Sequence, residues 1–316
     1  MKIPLPNWVR VPLATVSVGI STAVHVPILL LVALLKAFLG ALLPVRPIRR
    51  LLDGALIAIA ESWIGFNSWM LRTFTHTRFV IEGESQWRRD GHYLVMANHQ
   101  SWVDIPILQL VFNRRIPLLR FFLKQQLFWV PLLGLAWWAL DFPFMKRYSR
   151  ETLAKRPELA GRDVEATRRA CEKFRHIPVS IMNFVEGTRF TQAKHAAQQS
   201  PFTHLLKPRA GGVAFVLNAM GESLHAILDI TIAYPHGRPS LGDLFADRIP
   251  EVDLHVRELP IPSELASGDY QNDPAFRERF QAWVNTLWEE KDARLQQLLG
   301  GRAASCQRPS TKGSAS

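Results

Sequence analysis

Apolar positions dominate the first quarter of the chain and then break into short runs. From Val11 to Leu35, 25 residues pass with His25 as the only ionisable side chain. A bilayer core of roughly 30 Å needs about 20 apolar residues in a helix, so this stretch is long enough to span one. Lys2 and Arg10 precede it, whereas Lys36, Arg46, Arg49, Arg50 and Arg72 follow it. The more positive flank is expected on the cytoplasmic side. A cleaved signal peptide fits less well, because its apolar core runs to only about 7–15 residues. Leu51–Phe74 is also apolar but contains Asp53, Glu61 and Asn67. Charge at a bilayer centre is costly, so this second stretch is expected to lie in the interface or pack on the first helix. A hairpin half-inserted in the inner leaflet, with Pro27 kinking its first helix, stands as the alternative to a single span.

From about Thr77 short apolar runs alternate with helical patterns. Strands are expected over Arg78–Ile81, Tyr93–Ala97, Pro178–Val185, Ala226–Ala233 and Leu254–Leu259, and helices over Pro106–Phe112, Asp163–Phe174 and Val213–Met220. Such interleaving predicts an α/β domain whose sheet is largely parallel and flanked by helices. Phe276, Phe280, Trp283, Leu287, Leu295 and Leu298 form one apolar face of a closing helix. Gly300–Ser316 has no periodicity and is expected to be a disordered basic tail. The organisation expected is thus membrane-anchoring helices over 1–76, a catalytic domain over 77–299 and a tail over 300–316.

Charge narrows the partners. A net charge of +11 and a pI near 10.1 favour something anionic: acidic lipid, an acidic carrier or nucleic acid. No nucleic-acid reader motif or concentrated basic stripe is visible, so nucleic acid is not expected. Two cysteines, Cys171 and Cys306, do not make a disulfide framework and point to a reducing compartment.

Chemistry is signalled at two strand ends. Tyr93–Ala97 runs directly into Asn98, His99, Ser101 and Asp104. Pro106 is tolerated best in a first helical turn, so a helix should begin between about Ser101 and Ile105. Within one helix five residues turn by about 500°, so His99 and Asp104 meet only if His99 sits in the loop and Asp104 in the first turn. The aspartate then fixes one ring nitrogen and leaves the other as an outward general base. Capping and turn formation is the plain alternative for the same residues. The second strand end carries Glu186, Gly187, Thr188, Arg189 and Phe190. Arginine's planar fork suits phosphate or carboxylate, though a surface ion pair beside a turn is the competing reading. Lys124, Lys146, Arg147, Lys207 and Arg209 add cations between and after these loops, each equally readable as a solvated surface charge. No Gly-x-Ser-x-Gly elbow, cysteine nucleophile, phosphate-loop pattern or zinc-binding histidine spacing accompanies them. No metal is expected.

Together the motifs carry a resemblance. "NHQSWVD" is similar to the Asn-His-(four residues)-Asp motif, and "VEGTRF" to the Glu-Gly-Thr-Arg motif, of the 1-acylglycerol-3-phosphate acyltransferase family of glycerolipid acyltransferases. The intervening "RFFLKQQLFWVPLLGLAWWALDFPFMKR" resembles that family's middle block, with Lys124 and Arg147 at its basic positions. "KPRAGGVAFVL" resembles a fourth block with altered spacing, which leaves Lys207 without a clear counterpart. Over its whole length the chain also resembles an enterobacterial inner-membrane member of the family.

The resemblance implies a glycerolipid acyltransferase-like fold. It implies a membrane-bound O-acyltransferase that moves a fatty acyl group from acyl-CoA or acyl-carrier protein to the sn-2 hydroxyl of 1-acylglycerol 3-phosphate, giving phosphatidate for phospholipid synthesis, with no further cofactor; another lyso-lipid or an amine is the alternative acceptor. It places His99 and Asp104 as catalytic residues, and Glu186, Gly187, Thr188, Arg189, Lys124 and Arg147 around the acceptor's phosphate. Membrane lipids are the implied partners, at the inner membrane with the domain facing the cytoplasm. The run Phe128–Phe144, with Trp129, Trp137 and Trp138, reads either as an acyl pocket or interfacial rim, or as a buried helix pair. A basic membrane-tethered binding protein without catalysis is the alternative class.

Overall fold

The computed structural model describes residues 6–42, 45–83, 86–145, 171–172, 174 and 177–306. The chain opens with two long helices, α1 (Asn7–Leu42) and α2 (Arg46–Phe74). Pro47 is in the first turn of α2, where its missing N–H leaves no bond unmade. The two helices pack as an antiparallel hairpin: Lys36 meets Asp53 at 2.6 Å near the turn, and His25 stacks on Trp63 further along. The buried face of α1 is Ala14, Ser21, Val26, Leu29 and Ala33, while Val16, Ile20, Leu31, Leu34 and Phe38 are exposed. Among the described residues α1 is the one helix long and apolar enough to cross a membrane by length and composition.

Both ends of α1 are nevertheless tied to the rest of the chain. Arg10 donates to Asp247 at 2.9 Å, and Lys36 reaches Asp141 at 3.2 Å as well as Asp53. Arg10 and Lys36 lie about 39 Å apart along the helix axis at 1.5 Å per residue. The acidic residues that interrupt the apolar pattern of α2 have the same use, since the Glu61 carboxylate pairs with Arg89 and the Glu61 carbonyl accepts from Asn113. The helices expected as an anchoring unit therefore share a continuous apolar core with the sheet.

That sheet has six strands: β1 (Arg78–Glu82), β2 (His92–Ala97), β3 (Leu119–Phe121), β6 (Val179–Phe184), β7 (Ala226–Ala233) and β8 (Glu251–Leu259), in the order β1-β8-β7-β2-β6-β3. Every neighbouring pair is parallel except β7 with β8. The α/β, largely parallel expectation holds, with β8 and β1 running opposite to the other four. β2 and β7 are buried throughout apart from His92, as strands covered on both sides are, and largely apolar, with Asp229 and Thr231 the polar exceptions in β7. α3 (Asp104–Phe112) follows β2 with Pro106 in its first turn and packs against α2.

The middle block is not a helix pair. It holds a two-stranded ribbon of β4 (Leu123–Lys124) and β5 (Phe144–Met145), a 3₁₀ turn over Gln125–Trp129, and the short α4 (Leu133–Ala139), which packs on α1. Leu132 breaks the run with φ +63°, and Gly134 comes so close to the Phe128 carbonyl that no side chain fits there. Trp129 and Trp138 remain exposed.

Further helices are α5 (Gln192–Gln198), α6 (Gly211–Met220), α7 (Leu241–Phe245), which packs on α1, and a single turn at Ser263–Ala266. The closing helix α8 (Pro274–Cys306) buries Phe276, Phe280, Leu287, Trp288 and Leu295. It continues to Cys306, past the point where the tail was expected to begin, because nothing at Gly300–Gly301 forces a stop; the remainder of that tail lies outside the described residues. The helix expected over Asp163–Phe174 falls mostly outside them too.

Candidate active site

β2 and β6 are neighbours in register, with Ala97 beside Phe184. The two polar clusters seen in the sequence therefore emerge side by side at the carboxyl ends of the central strands, where open α/β sheets hold ligands. Hydrogen bonds knit the loops. The His99 N–H donates to Glu186 Oε1 at 2.9 Å, and the Phe190 N–H donates to the His99 carbonyl at 2.8 Å. Asn98 pins the neighbouring strand by exchanging two bonds with the backbone of Ile232 in β7.

His99 sits in the loop and Asp104 opens α3, so the two meet: Nδ1 lies 2.8 Å from Asp104 Oδ2. The same oxygen accepts the N–H groups of Gln100 and Ser101 at 2.7 and 2.9 Å. The other oxygen, Oδ1, accepts the Tyr234 hydroxyl at 2.6 Å. Asp104 is fully buried, and among the described residues its carboxylate has four donors. The His99 ring is stacked flat on Phe184 with centroids 3.9 Å apart, and the residue faces a cleft. With Nδ1 committed, Nε2 is the nitrogen left for a ligand.

The cleft has a volume of about 390 Å³ and is walled by Ile105, Phe121, Leu123, Leu127 and Phe184. Three cations line it, Lys124, Arg189 and Lys194, with no carboxylate among its described lining residues. The guanidinium of Arg189 lies 4.3 Å from the centroid of Trp102, a stacking that holds the fork in one orientation. Gly187 turns the loop at φ +70°, a left-handed conformation that side-chain-bearing residues rarely adopt. Thr188 and the carbonyl of Arg189 both accept from Lys194 Nζ, at 2.8 and 2.9 Å.

Glu186 does not point into the cleft. It is completely buried and bridges two backbone segments, taking the His99 N–H on Oε1 and the Leu206 N–H on Oε2 at 3.1 Å. Burial pushes its carboxyl up to about 8, against the pull of the two N–H donors. Behind it, the fully buried Lys291 pairs with Asp229 at 2.7 Å, and burial lowers its affinity for a proton.

Of the residues singled out from sequence, His99, Asp104, Glu186, Gly187, Thr188, Arg189 and Lys124 are gathered at this one place. Arg147 and Lys146 lie outside the described residues. Lys207 and Arg209 are exposed and do not line the cleft. Sequence reading missed Tyr234 and Lys194. Tyr234 comes from another strand end, and Lys194 sits in a short polar helix with no periodicity to mark it.

The model of the acyltransferase family matches residues 78–235, which is half of the chain and contains every element of the cleft described above. The chain belongs to the acyltransferase family. Within that family, lysocardiolipin acyltransferase 1 of Mus musculus is 26% identical over 281 residues, covering 83% of this chain and 69% of its own length. The 1-acyl-sn-glycerol-3-phosphate acyltransferase gamma of Homo sapiens is 28% identical and covers 66% of this chain. The matched segment spans about half, 53%, of that relative's length. The crystal structure of the 1-acyl-sn-glycerophosphate acyltransferase PlsC from Thermotoga maritima aligns with a TM-score of 0.48 at 17% identity, over 90% of this chain and 98% of its own. As an acyltransferase of the 1-acyl-sn-glycerol-3-phosphate and lysophospholipid group, the chain is an enzyme.

Proposed function

We propose that this acyltransferase moves a fatty acyl group from acyl-CoA or acyl-carrier protein to the sn-2 hydroxyl of 1-acylglycerol 3-phosphate. One observation carries the reading: a histidine fixed by a buried aspartate faces a cleft whose described lining holds Lys124, Arg189 and Lys194 and no carboxylate. His99 Nε2 takes the proton of the acceptor hydroxyl, and the resulting alkoxide attacks the thioester carbonyl. The tetrahedral intermediate collapses by breaking the C–S bond, and the imidazolium returns its proton to the leaving thiolate. No enzyme nucleophile is required. A positioned base is worth about 10²–10⁴ in rate, and holding both substrates in register adds to it. Asp104 orients the ring and stabilises its charged form. Arg189 takes the acceptor's phosphate, with Lys124 and Lys194 supplying further positive charge and Arg147 assigned the same task on the strength of the motif. Glu186 and Gly187 shape the loop that presents them. The scheme uses no metal and no cofactor beyond the acyl donor.

We assign the enzyme to the cytoplasmic face of an inner membrane, where acceptor and product both reside. With Arg10 and Lys36 each bound to the domain, α1 runs alongside it, so we place the hairpin within one leaflet rather than across the bilayer. Acylation of another lysophospholipid is the second reading, favoured by the 83% coverage of this chain by a lysocardiolipin acyltransferase.

The test supplies labelled acyl-CoA or acyl-carrier protein and 1-acylglycerol 3-phosphate to the wild type, His99→Ala and Arg189→Ala. Product from the wild type, none from His99→Ala, and a raised KM for the acceptor in Arg189→Ala are expected. Absence of product from the wild type with either donor overturns the choice of acceptor, and activity surviving in His99→Ala overturns the base.

A further inference from the structure

Tyr234 follows β7 directly and is buried, 130 residues from the aspartate it touches. The two oxygens of Asp104 are served unequally. Oδ2 takes His99 Nδ1–H and the Gln100 and Ser101 N–H groups, whereas among the described residues Oδ1 takes the Tyr234 hydroxyl alone. The tip of β7 is itself fixed to the start of the histidine loop, through the paired bonds between Asn98 and Ile232. The phenol is therefore delivered to Asp104 by a rigid element. Burial and the adjacent carboxylate push its pKa well above the ordinary range, so it keeps its proton and remains a donor.

We propose that Tyr234 is a positioning residue for acyl transfer: its hydroxyl locks the Asp104 carboxylate in the orientation that aims His99 Nε2 at the cleft, and limits how strongly Asp104 draws a proton onto the ring. This rests on His99 being the base. Without the phenol, Oδ1 is a buried carboxylate oxygen with no donor, so the carboxylate rotates and more of its charge falls on the oxygen facing His99. A more negative Asp104 favours the imidazolium, and the imidazolium cannot act as a base.

The sign of the effect follows. In Tyr234→Phe the acid limb of the kcat/KM profile moves to higher pH, by about half a unit to one unit. The kcat at the optimum falls by about 10–100-fold, within the range set by a positioned base, with KM for the acceptor nearly unchanged. The other groups facing His99 stay in place: Glu186 on its N–H, Arg189, Lys194 and Lys124 in the cleft, Arg238 on Gln100, and Lys291 behind Glu186. A shift of the limb therefore reads the phenol.

Profiles are measured for full-length wild type, Tyr234→Phe and His99→Ala. A Tyr234→Phe enzyme with wild-type kcat, or with reduced kcat but an unmoved acid limb, overturns the proposal while leaving His99 as base. Activity in His99→Ala overturns the underlying reading instead. If Tyr234→Phe does not fold, 3-fluorotyrosine placed at position 234 keeps the shape and makes the phenol a stronger donor. The limb must then move to lower pH, and a limb that stays put overturns the proposal.

Discussion

Glu186→Gln should uncouple stability from pH in a direction opposite to intuition. In the folded chain the buried Glu186 carboxyl holds its proton up to about 8, whereas an ordinary glutamate releases it near 4.5. Between those values the folded chain binds a proton that the unfolded chain has lost. The stability this proton provides is complete below about 4.5 and disappears as pH climbs to about 8. At about 1.4 kcal/mol per unit, the ceiling is about 5 kcal/mol. An amide has no such transition, but its NH₂ must face one of the two N–H groups of His99 and Leu206 that the carboxyl now accepts. That mismatch costs about 1–3 kcal/mol at every pH. Wild type should therefore be more stable than Glu186→Gln at pH 5, and equal or less stable at pH 8.5. Denaturant unfolding of both proteins in one detergent, followed by tryptophan fluorescence from pH 5 to 9, gives the difference curve, in which all other titrations cancel. A difference that stays flat or widens with pH refutes the reasoning. It would mean that the two N–H donors outweigh burial and keep Glu186 ionised throughout.

Arg189→Lys should fail to restore acceptor binding lost in Arg189→Ala, because an ammonium keeps the charge but loses both the planar fork and the stacking on Trp102; KM for the acceptor in each variant is the readout. Lys194→Met keeps the length of the side chain but removes its bonds to Thr188 and the Arg189 carbonyl, and kcat/KM should fall by about 10-fold or more at unchanged unfolding midpoint. Arg10→Asp should loosen α1 from the domain, and Arg10→Asp with Asp247→Arg should tighten it again; protease cleavage between residues 6 and 45 in detergent reports both.

Much of the fold is legible in hydrophobic pattern because the central strands are buried on both faces. The expected bounds of Ala226–Ala233 are those of β7, and Tyr93–Ala97 differs from β2 by one residue. The His99–Asp104 contact is legible for a local reason: Pro106 fixes where α3 begins, and that alone decides whether the pair can meet. What escapes is what depends on distance or direction. β3 is three residues long and has no room for a period, and the reversed course of β8 leaves no trace in alternation. Tyr234 reads as one more aromatic at a strand end until the sheet order sets β7 beside β2.

The flanking charges of α1 bear on the choice between a span and a half-inserted hairpin that the sequence leaves open. A basic residue at each end of a long apolar run is the pattern of a membrane span, and Arg10 and Lys36 fit it. Folded, each has an aspartate partner in the domain, Asp247 and Asp141. A span would have to carry Arg10 to the far side of the bilayer and leave the half-buried Asp247 without it, with His76 as its remaining partner. Losing the Arg10–Asp247 pair is a cost that the half-inserted placement proposed above avoids. In the half-inserted placement proposed above, the exposed side of α1 and the exposed Trp129 and Trp138 are the surfaces available to the apolar phase. Leu127, two residues from Trp129, lines the cleft. Under the proposed function, an acceptor whose tails stay in the leaflet would reach Nε2 of His99 along that wall, and the product would leave the same way without entering water.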